Sequence, residues 1–368
     1  MTEKNIAYCI EQVDKCIESM HGLYPADASE NGVYPCVGNS VGWTQGFWVG
    51  MLWLAYEFTK DKKYKKLALN HVDNFYNRIK KRIDVNHHDM GFLYLPSCVA
   101  AYRLTGSEKA KEAALMAADC LCERFCEKGQ FIQAWGEIGA PENYRLIIDC
   151  LLNIPLLFWA YDVTGKNNYQ RIAMAHLKTA VSVVIRDDGS TFHTFFFDPK
   201  TGAPLRGETH QGYSADSIWA RGQAWGVYGL AIAYKYTKSR EIADMFIKVT
   251  DVFINHLPED NIPAWDMIFT DTKTVKDSSA ASIAICGIYE MQKHTEIPQR
   301  FSDSAARMLE ALGKNLTEDM PLSNGIVKHS TYAMPQKIGV DECNIWGDYY
   351  YMEALMRCTD SRWNSYFE

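Results

Sequence analysis

The chain has no run of Lys or Arg longer than a few residues, and its net charge is −7. A nucleic-acid surface, which needs clustered cations against phosphates, is therefore not expected, and an acidic ligand would need one local cation. Apolar stretches of membrane-spanning length are also lacking: the longest, around Cys150 to Tyr161, is too short for a bilayer. The N-terminal stretch MTEKNIAYCIEQVDKC holds no apolar signal core, so a cytoplasmic protein without membrane association is expected. The cysteines do not suggest a disulfide framework. Their number, eleven, is odd, and most sit in helical, apolar contexts such as Cys9, Cys16, Cys98 and Cys286, which reads as reduced thiols. Cys120, Cys122 and Cys126 come closest to a metal cluster, but no His lies beside them and their spacing fits a helix. No metal and no other cofactor is expected.

Alternating β-branched runs are few, and helical periodicity dominates. Amphipathic segments fall near 4–20, 42–60, 64–82, 90–105, 107–127, 144–164, 167–186, 213–237, 239–257, 276–293, 298–313 and 347–358. They are of two alternating kinds. One kind carries Lys and Glu on one face, as in Asp61 to Arg82 and Arg240 to Asn255, and suits a solvent-facing helix. The other is apolar nearly all round and rich in Gly, Ala and aromatics, as in Gly42 to Phe58 and Ser217 to Tyr236, and suits a helix packed on both sides. Internal echoes support a repeated helical hairpin. Asp89, Pro96, Tyr102 and Thr105-Gly106 are followed at closely similar spacing by Asp149, Pro155, Tyr161 and Thr164-Gly165, and Trp43-x-x-Gly46 is echoed by Trp219-x-x-Gly222.

Inner helices are thus expected to begin near Trp43, Asp89, Asp149, Ser217, Asp277 and Asp348, each after an outer one. An all-α (α/α)6 barrel of six inner and six outer helices follows. An open solenoid gives the same period, but it would expose one face of the apolar helices. No Pro/Gly/Ser-rich linker divides residues 1–368, so one domain is expected. The turn-rich, aromatic stretch near 186–212 is expected to form a short β-hairpin-like loop over the site.

Asp149 lies between Ile148 and Cys150 in apolar sequence. A carboxylate placed there either caps or closes a turn before Pro155, or has its pKa raised and serves as a general acid. Helix starts of one kind share a rim, which gathers Trp43, His88, Asp89, Trp135, Asp149, Gln211, Arg221 and Trp225, with His193 on the long loop. Aromatics that stack, amides and imidazoles that meet hydroxyls, and paired carboxylates are the make-up of a carbohydrate site. The 13% aromatic content points the same way, although large cores use aromatics too. Asp216, Asp277 and Asp348 are expected to be helix caps. Arg221, within an apolar helix, needs an anionic partner: Asp216, Glu208 or a substrate carboxylate. His87-His88-Asp89 reads as a poor metal set, because adjacent helical residues point apart.

The segments GWTQGFWVGMLW, HHDMGFLY, IIDCLLNIPLLFWA, HQGYSADSIWARGQAWGVYGL, KDSSAASIAICGI and NIWGDYYYMEAL, spread over nearly the whole chain, resemble the unsaturated glucuronyl hydrolases, glycoside hydrolase family 88. That resemblance implies an (α/α)6 barrel and removal of the 4,5-unsaturated uronic acid that polysaccharide lyases leave at the non-reducing end of glycosaminoglycan fragments. The implied chemistry starts with protonation of C4 of the vinyl ether. Water then adds at C5, and the hemiketal opens to a keto-uronate as the remaining sugar leaves. By the same resemblance Asp149 is the general acid and base, Asp89 its partner, and His193, Gln211, Arg221, Trp225, Trp43, His88 and Trp135 are substrate contacts, Arg221 meeting the uronate carboxylate. Rival readings are an unsaturated rhamnogalacturonyl hydrolase acting on pectin fragments, an inverting glycosidase using Asp89 and Asp149 across a water, and a non-catalytic helical-repeat protein.

Overall fold

In a computed structural model that describes residues 2–39 and 41–368, the periodicity becomes helices α1 (Thr2–Met20), α2 (Gln45–Thr59), α3 (Lys62–Lys80), α4 (Met90–Tyr94), α5 (Ala100–Thr105), α6 (Glu108–Glu123), α7 (Cys150–Asn153), α8 (Pro155–Thr164), α9 (Asn167–Val184), α10 (Ala220–Thr237), α11 (Arg240–Asn255), α12 (Ser278–His294), α13 (Gln299–Gly313) and α14 (Ile345–Thr359). The outer elements are amphipathic. On α11 the buried residues Ile242, Phe246, Val249 and Phe253 recur at helical spacing, so one face meets the barrel and the rest meets water. The inner elements have no such face: α2 buries every residue from Gln45 to Ala55.

Contacts between helices close a ring. Among inner elements, α2 packs on α4, α4 on α7, α7 on α10, α10 on α12, α12 on α14, and α14 returns to α2. That last contact decides for an (α/α)6 barrel and against an open solenoid. The repeat also explains two broken inner helices. Pro lacks an N–H and clashes with the preceding turn, so a π-helical turn at Leu95–Val99 containing Pro96 separates α4 from α5, and Pro155 restarts the helix at α8. Both pieces then end alike, on Gly106 and Gly165 in the left-handed conformation at φ 72° and 68°.

Three expectations are corrected. First, the segment expected to be helical from 144 begins as strand β5 (Arg145–Ile147), after the short pairs β1 (Tyr24–Pro25) with β2 (Cys36–Val37) and β3 (Phe125–Cys126) with β4 (Phe131–Ile132). It joins the anticipated hairpin, β6 (Thr194–Phe197) and β7 (Pro204–Glu208), in a three-stranded antiparallel sheet, with Leu146 opposite Phe195. A final hairpin pairs β8 (Ser330–Ala333) with β9 (Ile338–Glu342).

Second, α10 starts at Ala220 rather than 213, because the Asp266 carboxylate holds the preceding turn by accepting from Tyr213 N at 2.8 Å and Ser217 Oγ at 2.6 Å. Third, none of the three expected caps makes a capping bond. Asp216 is exposed, away from any helix start. Asp348 sits inside the first turn of α14 and accepts from Tyr34 Oη, Ile326 N and Val327 N at 2.8–3.0 Å, tying that helix to the chain before β8. Asp277 precedes α12 without a capping bond and pairs elsewhere. No helix among the described residues is long and apolar enough to cross a membrane, and all eleven cysteines are free.

Candidate active site

Asp89 and Asp149 stand immediately before α4 and α7, yet neither side chain makes a capping hydrogen bond. The capping alternative for Asp149 is thus met in position and not in bonding, which leaves the carboxyl free for other partners. What brings the two acids together is a close approach of their helices. A Cβ on Gly91 would lie 2.3 Å from Asn153 Cα, so only glycine permits α4 and α7 to meet here. Asn153 locks the contact: its Oδ1 accepts from Phe92 N at 2.9 Å, while its Nδ2 reaches Asp89 Oδ1 at 3.5 Å and Asp149 O at 3.3 Å.

His88 completes the cluster. Its Nε2 lies 3.4 Å from Asp89 Oδ1 and 3.5 Å from Asp149 Oδ1, and His87 Nδ1 lies 3.2 Å from Asp89 Oδ2. The two carboxylates then titrate in opposite directions. Burial, followed by the charge of Asp89, raises the Asp149 carboxyl well above the ordinary value. Burial also pushes Asp89 upward, but the charge of His88 and a hydrogen bond with His87 outweigh it, and Asp89 is held below the ordinary value. Burial lowers His88 to about 4, so it is charged only in the acidic range where Asp89 itself titrates and is an uncharged imidazole near neutral pH. An acid kept protonated beside one kept ionised is an arrangement for proton transfer.

One atom each from His88, Asp89 and Asp149 lie within 4.8 Å of one another. Such a set of one nitrogen and two oxygens could also hold a divalent cation. The raised titration of Asp149, whose Oδ1 is buried without a hydrogen-bond partner, favours a proton at that oxygen. The spacing bears on another alternative as well. Inverting glycosidases separate their carboxyl groups by roughly 6.5–9.5 Å to admit a water, more than this cluster allows.

All nine residues singled out from the sequence line one cavity of about 220 Å³: Asp149, Asp89, Trp43, His88, Trp135, His193, Gln211, Arg221 and Trp225. Larger hollows exist, and the one of about 460 Å³ beside Tyr289 and Arg357 has no carboxylate in its lining. His193, on the first residue before β6, accepts at Nδ1 from His210 N at 2.8 Å, which leaves Nε2–H as its donor. Burial holds its pKa well below the ordinary value, so that donor belongs to a neutral ring. Trp43 is fixed by a hydrogen bond from its indole to Tyr332 Oη at 3.1 Å and by Trp346 at 5.1 Å, and Trp225 rests 5.2 Å from Phe92. Trp135 carries the Arg145 guanidinium 4.3 Å from its ring.

Arg221 does have an anionic partner, and it is neither Asp216 nor Glu208. Its Nη1 donates to Asp277 Oδ2 and Thr331 O, both at 2.7 Å, and its Nη2 donates to Tyr332 O at 2.6 Å and to Gln211 Oε1. Glu208 pairs with Arg206 instead. With both terminal nitrogens committed, Arg221 has no two-pronged face to offer a carboxylate. The cavity has further lining residues that sequence reasoning did not select: Ile147, His210, Trp219 and Tyr332. Trp219 was within reach, since the Trp-x-x-Gly echo equates it with Trp43. Nothing local marks Tyr332, which arrives on β8 from the far end of the chain.

Residues 16–360 match the family described as Glycosyl Hydrolase Family 88. A protein of Streptococcus pneumoniae named unsaturated chondroitin disaccharide hydrolase is 48% identical over 97% of this chain and 91% of its own. The crystal structure of an unsaturated glucuronyl hydrolase from Streptococcus agalactiae superposes with a TM-score of 0.96 at 47% identity, covering 99% of this chain and 93% of that one. A mutant of the S. agalactiae enzyme, complexed with dGlcA-GalNAc6S, superposes at 0.88 with 42% identity and the same coverage.

Proposed function

We propose that this chain, which belongs to glycosyl hydrolase family 88, reacts through the Asp89–Asp149 pair. It is an unsaturated glucuronyl hydrolase, removing the 4,5-unsaturated uronic acid from the non-reducing end of lyase-generated glycosaminoglycan oligosaccharides by hydrating the vinyl ether double bond. The assignment of roles is supported by two buried carboxyls set about one imidazole, at 3.4 and 3.5 Å from its Nε2, with Asp149 pushed up by burial and Asp89 held down by its histidine neighbours.

Asp149 enters the reaction protonated and gives its proton to C4 of the unsaturated ring. Positive charge then forms at C5 and on the ring oxygen, and the ionised Asp89 nearby stabilises it. Asp149, now a carboxylate, takes a proton from water as the water oxygen bonds to C5. The hemiketal opens to a ketone and the second sugar departs. Trp43, Trp135 and Trp225 give faces on which sugar rings stack. Neutral His193 donates from Nε2, and Gln211 meets a hydroxyl from a side chain held by Arg221. Arg221 serves as a brace for Gln211 and Tyr332 whose positive charge is spent on Asp277. The cavity of about 220 Å³ is small beside the roughly 300–1,000 Å³ of drug-sized ligand sites, which suits capture of one terminal ring. We read residues 1–368 as one catalytic domain, and the eleven unpaired thiols suit a reducing, cytoplasmic setting.

The direct test is wild-type protein against a panel of unsaturated disaccharides from chondroitin, hyaluronan, heparin and pectin, beside their saturated counterparts. Ultraviolet absorbance of the conjugated double bond is expected to disappear from the glycosaminoglycan members while saturated compounds stay intact. Cleavage of saturated compounds, or turnover of the pectin member alone, would overturn the reading.

Asp89→Asn bears on the pH dependence. A raised acid is fully competent below its pKa and is lost as pH rises through it, so the alkaline limb of kcat follows Asp149. Removing the Asp89 charge removes one of the two causes of that raise, and the alkaline limb is expected to move to lower pH along with a drop in kcat. An unmoved limb in that variant would separate the limb from Asp149.

A further inference from the structure

Behind the reacting pair lies a second imidazole that none of the roles above uses. His176, on α9, is completely buried, and its Nδ1 accepts from the backbone N–H of Ile132 at 2.9 Å. Two residues on, Ala134 O accepts from the backbone N–H of His88 at 2.7 Å. The segment from Ile132 to Ala134 therefore binds the ring of His176, on the outer helix, and the backbone of His88, at the cavity wall.

These bonds fix where the ring protons sit. An Nδ1 that accepts a backbone N–H carries no proton, so His176 is protonated on Nε2. His88 Nε2 lies 3.4 Å from Asp89 Oδ1 and 3.5 Å from Asp149 Oδ1, and an ionised Asp89 is best met there by an Nε2–H. His88 Nδ1 is left as a lone pair. His176 Nε2, a donor, and His88 Nδ1, an acceptor, are both buried and both lack a partner. Buried polar atoms are seldom left unpaired, and a water that bridges two of them is an ordinary part of protein interiors. Each ring supplies what the other needs. The two also sense each other electrostatically, since a charge on His88 lowers the His176 pKa further.

We propose that His176 is a positioning residue for catalysis, linked from Nε2–H through one buried water to His88 Nδ1. The link holds His88 in the tautomer that donates toward the ionised Asp89. Without it, His88 is free to place its proton on Nδ1 and turn a lone pair on the ionised Asp89 oxygen. Asp89 then loses a donor and Asp149 loses the neighbour that settles which acid keeps the proton. The proposal rests on the reading of Asp89 and Asp149 as the reacting pair, and its test is separable from that reading.

The test uses two substitutions of opposite geometry. Asn at position 176 places an acceptor near the former Nδ1 and nothing at Nε2, whereas Gln places an N–H donor near the former Nε2. His176→Asn is expected to lower kcat about tenfold, equivalent to ~1.4 kcal/mol, with KM within about twofold and an altered pH profile. His176→Gln should recover most of that loss. Nitrogen-15 spectra of the histidines in the wild-type protein should show His176 protonated at Nε2 and His88 at Nε2, with His88 turning into a tautomer mixture in His176→Asn. A wild-type His176 protonated at Nδ1, or a folded His176→Asn enzyme with unchanged kcat and pH profile, overturns the proposal. So does equal loss of kcat in both variants. An active Asp149→Asn enzyme would instead sink the functional reading and leave the tautomer result standing.

Discussion

Asp149→Asn is expected to lower kcat on an unsaturated chondroitin or hyaluronan disaccharide by roughly 10²–10⁴-fold, the usual worth of a positioned general acid or base. The amide keeps the shape of the carboxyl and gives up both of its tasks, the proton for C4 and the carboxylate that later accepts one from water. Folding should not suffer. The native side chain makes no capping bond, and burial already pushes its carboxyl to titrate well above the ordinary range, so a neutral replacement removes a desolvation cost. Loss of ultraviolet absorbance with time measures the rate, and a urea midpoint equal to or above wild type shows that the fold is intact. Wild-type turnover by this variant would transfer the acid's role away from Asp149.

The second large effect concerns Asp277, which touches the cavity only through Arg221. Arg221 and Asp277 are 1% and 0% exposed and 2.7 Å apart, a salt bridge wholly inside the protein between α10 and α12. Breaking such a pair leaves a desolvated charge without its partner, and Asp277→Asn is expected to cost about 3–5 kcal/mol in urea unfolding. Activity should fall in the protein that remains folded, because Gln211 and the backbone of Tyr332 are both bonded to the guanidinium. The double variant Arg221→Met with Asp277→Leu removes both charges together. It is expected to regain much of the stability, since apolar replacements of buried pairs are often near neutral, and to remain a poor enzyme. If the double variant regained full activity, Arg221 would have no role as a brace.

These two residues also show what a sequence discloses and what it withholds. Asp149 was legible because it is locally anomalous, an acid in apolar sequence, and because the repeat supplied a counterpart in Asp89. The alternation of apolar and amphipathic helices exposed the barrel, since each helix buries a face that its own residues spell out. Asp277 was legible only as an acid before a helix. Its partner lies 56 residues away, and no periodic pattern reports a pairing between two helices. Strand β5 was misread for a related reason. Arg145–Ile147 is three residues long and takes its conformation from pairing with Thr194–Phe197 across some fifty residues of chain, so its own sequence, continuous with an apolar helix, argued for helix. The aspartates expected to be caps failed because a cap is a local bond, and Asp348 and Asp277 spend their oxygens on segments that local reasoning does not see.

The contact of α14 with α2 sets an order of events during synthesis. The cavity joins Trp43, close to the first inner helix, to Tyr332, whose strand is made only after five of the six inner elements. A ribosome that has released both aspartates, His88, His193 and Arg221 has therefore produced every reacting group and still no enclosed site. Until the last hairpin and helix emerge, the apolar flanks of α2 and α12 have no neighbour to cover them, and this is the form of the chain in which aggregation competes with folding. Catalytic competence should arrive all at once, with α14, and a nascent protein stalled before Ile345 should be a client for chaperones rather than a slow enzyme.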